Sequence, residues 1–184
     1  PVTVTLADPL PVELDGVRIY DEYLGTMSKN YFVGVAEGDI PNHTPIAKLG
    51  YNPSVGTTQE DIWFGSNSYV FPTANQTMQV VSTSVEDDVL TAGLAAGTGI
   101  HEVYITYLDS SYAEHTTTVS LNGTSAVNTS VSNIFRVNDL RAKTVGSTGA
   151  AVGNVGIRNT GGTPYYRYIS ATNTRSRCSV YTVP

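Results

Sequence analysis

Val103-Tyr104-Ile105-Thr106-Tyr107 and, a little further on, Thr116-Thr117-Thr118-Val119-Ser120-Leu121 decide the class of fold. In an extended chain successive side chains point to opposite faces, so Val103, Ile105 and Tyr107 share one side while Tyr104 and Thr106 take the other. The second segment ends at Asn122-Gly123, and the two read as a hairpin closed near Leu108–Ala113. Working outward, Ile62-Trp63-Phe64 and Tyr69-Val70-Phe71 are short apolar runs separated by Gly65-Ser66-Asn67, and Thr77–Ser82 is strand-like. Downstream come Ile134–Val137, Ala142–Val145, Gly153–Arg158, Tyr165–Ile169 and Ser179–Val183. Short strands with turn residues every ~8–12 positions mark a sandwich or barrel. The expected fold is all-β: a β-sandwich, jelly-roll or Ig-like, with an extended N-terminal arm.

The start of the chain is less regular. Val2–Leu6 alternates, and Val12-Glu13-Leu14 and Val17-Arg18-Ile19 flank Asp15-Gly16, a two-residue hairpin signal. Tyr31-Phe32-Val33-Gly34-Val35 is expected to be a further strand. Pro41, Pro45 and Pro53 then mark an irregular stretch over 37–60, because proline removes a ladder donor. The division is an arm or small β region over 1–60 and a β-sandwich domain over 61–184. The one helical candidate, Glu86–Ala96, has an acidic start but carries Gly93 and ends near Gly97, so the expectation is a short helical turn or a loop.

Composition supports the β reading. Charged residues make up 14% of the 184, against about 25% in average soluble domains. Thr, Ser, Asn and Gly take their place, residues that fit pleats and turns. The 12 tyrosines point the same way, since tyrosine buries a ring and keeps its hydroxyl wet. A net charge of −6 argues against nucleic acid as a partner, because displacing phosphate counterions takes clustered lysine and arginine. The single Cys178 excludes an internal disulfide framework. No apolar run approaches the roughly 20 residues of a membrane span, and no signal peptide opens the chain, so a soluble protein of a reducing cytoplasm is expected.

Catalysis or metal binding needs a constellation, and each candidate falls short of one. His43, His101 and His115 are the only histidines. His101 and His115 could meet across the hairpin with Glu102 or Glu114 beside them, but zinc needs three or four ligands and the spacing provides no more. Glu86-Asp87-Asp88 has carboxylates for Ca²⁺ without the spacing of a calcium loop, and reads as a solvated turn. Gly93–Gly99 lacks the lysine and following helix of a phosphate-binding loop, and reads as a flexible connection. There is no Gly-x-Ser-x-Gly elbow, and Cys178 has no neighbouring histidine. Strict alternation on the Tyr165–Ile169 strand places Tyr166 with Tyr168 on one face and Tyr165 with Arg167 on the other. These tyrosines suit a core, a subunit contact or a saccharide platform.

From Asp61 onward an ordered series of motifs accumulates. Asp61-Ile62-Trp63 leads to Tyr69-Val70-Phe71-Pro72-Thr73, then Val80-Val81-Ser82-Thr83-Ser84 with Glu86-Asp87-Asp88 behind it. Ala96-Gly97-Thr98-Gly99, Tyr107-Leu108-Asp109 and Thr118–Thr124 follow. Phe135-Arg136-Val137-Asn138, Gly146-Ser147 and Asn154-Val155-Gly156-Ile157 close the series. In this order, over a little more than half of the chain, the sequence resembles virion structural proteins of marine tailed bacteriophages. The resemblance implies a β-sandwich carried on the head or tail, with no catalytic residue to transfer. In similar chains more sequence follows the segment matching Ser179–Pro184, which implies a further C-terminal domain.

The expectations are therefore a structural protein and not an enzyme. No cofactor, catalytic residue or metal site is expected. The protein would bind the capsid surface in the virion as a decoration (cement) protein or capsid-anchored fibre base, with the major capsid protein and copies of itself as partners, a trimer among the candidate homo-oligomers. No nucleic acid and no membrane are expected as partners. The alternatives are a tail adaptor or receptor-binding fibre base, and a carbohydrate-binding module.

Overall fold

A computed structural model describes residues 30–41, 43–65, 68–89 and 95–184. The segments Val2–Leu6, Val12–Leu14 and Val17–Ile19, with the hairpin expected at Asp15-Gly16, lie outside the described residues. The chain divides into two compact units, Pro1–Ala47 and Lys48–Pro184.

The described part of the first unit holds one helix, α1 (Tyr31–Glu37), where the apolar run suggested a strand. Its ends explain the difference. The Asn30 side chain accepts the Phe32 N–H as an N-cap, at 2.9 Å. Gly38 takes the left-handed conformation at φ 80°, and its N–H turns back to the carbonyls of Gly34 and Val35. These two caps outweigh the strand preference of Tyr, Phe and Val.

The second unit is the β-sandwich that the alternation predicts. Its described residues form seven strands: β1 (Met78–Ser82), β2 (Ile100–Leu108), β3 (Glu114–Ser120), β4 (Val127–Asn128), β5 (Arg136–Val145), β6 (Val155–Asn159) and β7 (Tyr165–Ile169). One antiparallel sheet runs β4-β1-β6-β7 and the other β3-β2-β5. The inward faces make one core. Met78 and Val80 of β1, Ile157 of β6 and Ile169 of β7 meet Val103 and Ile105 of β2 and Leu140 of β5, all fully buried or nearly so. The runs Ile134–Val137 and Ala142–Val145 belong mainly to one long strand, β5, with register shifts against β2 that let it bend over the core. Ile62–Phe64 and Tyr69–Phe71 form no strand but still supply core side chains, Trp63 and Tyr69, packed edge to face at 5.2 Å.

Ser179–Val183, also expected as a strand, is irregular. The chain that leads into it lies along the open edge of β5, where Ala142 N–H donates to Thr174 O at 2.7 Å and Ser176 N–H to Leu140 O at 2.8 Å. Beyond that, side chains replace the ladder. The Asn138 amide accepts Thr182 N–H and donates to Thr182 O at 3.0 and 2.7 Å. Arg167, fully buried, donates to Val137 O at 2.9 Å, Cys178 O at 3.2 Å and Val180 O. These bonds hold part of the tail's backbone in place of a partner strand among the described residues and cover an edge that would otherwise invite pairing.

Glu86-Asp87-Asp88 is not the solvated turn that three adjacent acids suggest. Asp87 is fully buried, and its carboxylate fills a ring of donors. Oδ1 accepts Ile100 N–H at 2.8 Å and Val152 N–H at 3.0 Å; Oδ2 accepts the Ser82 hydroxyl at 2.6 Å and Gly153 N–H at 2.8 Å. Ser82 ends β1, Ile100 begins β2, and Val152-Gly153 leads into β6, so one side chain ties the two sheets together. Gly99 is therefore no spacer: a Cβ there would lie 2.0 Å from Asp87 Oδ1. Its role is close approach. The segment is a turn, with Asp87 N–H on Ser84 O and Asp88 bridged to Asn122, and the described residues 86–89 and 95–96 contain no helix.

Replacing Asp87 with Ala strands buried backbone donors and is expected to cost about 3 kcal/mol or more. Asp87→Asn should fare little better, since its NH₂ faces N–H donors whichever way the amide is turned. Urea unfolding checks both, and a loss under about 0.5 kcal/mol for Asp87→Asn contradicts this account of the carboxylate.

Candidate functional site

The sequence candidates are dispersed by the fold. His115 pairs with Tyr107 on the β2–β3 ladder, whereas the His101 carbonyl accepts Leu121 N–H. The two histidines thus sit at opposite ends of the hairpin, about 20 Å apart at strand rise, and do not meet. His101 Nε2 lies 2.7 Å from Gly97 O. Glu102 takes Lys143 at 3.3 Å. His43 contacts Pro41 O and the Tyr31 ring in the first unit. Among the described residues no group of three or more His, Cys, Asp or Glu could hold a metal ion. Cys178 is buried, and burial raises its thiol above the ordinary range.

Sequence reasoning missed a different grouping. A cleft of about 460 Å³ opens on the outer face of the β4-β1-β6-β7 sheet. One wall is aromatic: Tyr165 and Tyr168 stack with centroids 4.7 Å apart and planes at 20°, and Phe64 leans on Tyr168 at 5.5 Å. The expected pairing of faces fails because β7 carries a bulge. Arg158 of β6 pairs with Tyr165 and Ile157 with Arg167, leaving Tyr166 as the extra residue. That insertion breaks the alternation. Tyr166 and Arg167 both turn inward and are buried, while Tyr165 and Tyr168 share the outer face.

Gly156, opposite Tyr168 on β6, leaves room for the pair. A Cβ there would come within 2.6 Å of the Tyr165 ring and 2.9 Å of the Tyr168 ring, so the rings fill the place of a side chain. Beside them Arg158 Nη1 donates to the Tyr165 hydroxyl at 3.0 Å, while its buried Nε has no hydrogen-bond partner among the described residues. Asn154, Thr83 and Thr124 add neutral polar groups. Burial, and after it the neighbouring Tyr165, raises the Tyr168 hydroxyl above the ordinary range, so it stays a donor at any working pH. Among the described residues the lining holds a cation and no carboxylate or imidazole. Such a surface can stack on a flat ligand and donate hydrogen bonds to it, but has no ready proton acceptor for general acid–base chemistry.

Comparison of the chain with known protein families, with curated proteins and with solved structures finds no match.

The His115 end of the hairpin generates a pH test. Asp109 accepts the Ser111 hydroxyl at 2.6 Å, His115 at 2.9 Å, and the N–H groups of Ser111 and Ala113, which together hold its carboxyl down at about 2. The folded value lies below the ordinary ~3.9. The ionised form therefore supports the turn fully above about pH 4, and that support fades as pH falls through about 2. Carboxyl-carbon NMR should give the low midpoint; a midpoint near 4 contradicts the turn geometry.

Proposed function

We propose that this chain is a structural assembly protein of a tailed-phage particle, a capsid decoration (cement) protein or capsid-anchored fibre base. The reading joins the motif order from Asp61 to Ile157, which resembles phage virion proteins, to one structural observation. Apolar side chains stand exposed on irregular segments packed beside the sandwich: Leu49 is 72% exposed, Val55 74%, Val183 65% and Ile62 51%. These segments lie side by side, with Tyr51 N–H on Arg177 O at 3.2 Å and Ser179 N–H on Ile62 O at 3.1 Å.

Exposed Leu, Val and Ile on coil that is itself pinned by hydrogen bonds gain nothing within the monomer, and burying each against a neighbour contributes ~1.5–3 kcal/mol. The Thr-rich strand β3, at the edge of its sheet among the described strands, adds a strand edge for the same purpose. Repeated by particle symmetry, modest contacts of this kind add up to firm attachment without a catalytic group. The major capsid protein and further copies of this chain are the partners the reading requires.

The experiment is incorporation. Purified particles should contain the protein, in many copies if it decorates the shell and few if it belongs to the tail. A Leu49→Asp/Val55→Asp variant should fold normally by circular dichroism yet be lost from particles. Accumulation of the protein in infected cells with none in particles would overturn the proposal.

A further inference from the structure

The aromatic cleft plays no part in packing between copies as proposed above, and its chemistry indicates a ligand. We infer that the cleft between Phe64, Tyr165, Tyr168 and Arg158 binds an acidic pyranose, a sugar ring that carries a carboxylate.

Three observations lead there. Phe64, Tyr165 and Tyr168 are each half-buried, so part of every ring faces the cleft. A pyranose presents a face of C–H bonds that packs on an aromatic ring, while its rim of hydroxyls needs donors and acceptors such as Asn154, Thr124 and the Tyr168 hydroxyl. The volume of about 460 Å³ falls within the roughly 300–1,000 Å³ of small-molecule sites and accommodates a sugar unit.

Charge then selects among sugars. The chain carries a net −6, yet among the described residues this cleft is lined by Arg158 and by no acid. A guanidinium matches a carboxylate in plane and in spacing. Arg158 has its Nη1 committed to the Tyr165 hydroxyl, which fixes the fork, and its buried Nε has no partner among the described residues. As a lining residue of the cleft, Arg158 is placed to meet an incoming carboxylate. A nucleotide would also stack on the tyrosines, but its several phosphate charges would meet one guanidinium on a negatively charged protein. Each uronate ring brings one charge, so the ring seated in the cleft sets one carboxylate against one cation.

The test uses the full chain and three probes: a galacturonic acid trisaccharide, the same trisaccharide with its carboxyls reduced to alcohols, and AMP. Calorimetry gives affinities and amide NMR locates binding. The acidic trisaccharide should shift the amides of Asn154, Gly156, Arg158 and Tyr168, and bind about tenfold or more tighter than the reduced form, the worth of one charge-assisted hydrogen bond. In Arg158→Gln the acidic and reduced trisaccharides should bind with equal affinity. If Arg158→Gln does not fold, the comparison of acidic and reduced probes on the unaltered protein decides alone. No binding of the acidic trisaccharide, equal binding of the reduced form, shifts located elsewhere, or tighter binding of AMP would each overturn the inference.

Discussion

The carboxylate of Asp87 sits where no water reaches it, and among the described residues no lysine or arginine hydrogen-bonds to it. Taking an ion out of water costs several kcal/mol, so such a group persists only when its lone pairs are filled. Here three backbone N–H groups and one hydroxyl fill them, drawn from the end of β1, the start of β2 and the approach to β6. The arrangement works only if all three chains arrive together. It thereby fixes where two sheets begin, and it makes close approach by Gly99 obligatory.

Arg167 is its counterpart. It too is buried, and its hydrogen bonds go to carbonyls rather than carboxylates: Val137 in β5, then Cys178 and Val180 in the tail. Val137 lies opposite Tyr107, towards the far end of β2 from Ile100. The sandwich is thus pinned by an anion on amides near one end of β2 and a cation on carbonyls near the other. Between these pins the β7 bulge turns Tyr166 and Arg167 inward and leaves Tyr165 and Tyr168 outside. The residue that clamps the tail and the tyrosines that line the cleft are products of the same one-residue insertion.

Which parts of this were legible follows from what periodicity can carry. Alternation at Val103–Tyr107 reports burial on one face, and the strands containing Val103–Tyr107, Thr116–Val119 and Val155–Ile157 are where the sequence places them. Tyr31–Val35 misled because its β-branched and aromatic residues are overruled by caps at Asn30 and Gly38, a signal lying outside the run itself. Ser179–Val183 misled because alternation does not say whether a neighbouring strand exists; here Asn138 and Arg167 stand in for one. The cleft was half visible. Its tyrosines draw notice in the sequence, but their faces depend on a bulge, and Arg158 and Gly156 gain meaning only from the register that sets them beside Tyr165 and Tyr168. Asp87 looked like one acid of three because burial of a charge depends on donors from distant parts of the chain.

A rigid sandwich with pinned ends suits both roles proposed for it. Its irregular flank can press apolar side chains on neighbours without the core yielding, and its outer sheet face can hold an aromatic cleft in fixed geometry. Native-state hydrogen exchange tests the underlying claim most directly. If Asp87 joins the sheets, the amides of Ile100 and Gly153 should exchange only through global unfolding, with the same free energy as the central residues Ile105 and Ile157. Exchange of Ile100 and Gly153 through a separate, lower-energy local opening would show that the carboxylate does not hold the two sheets together.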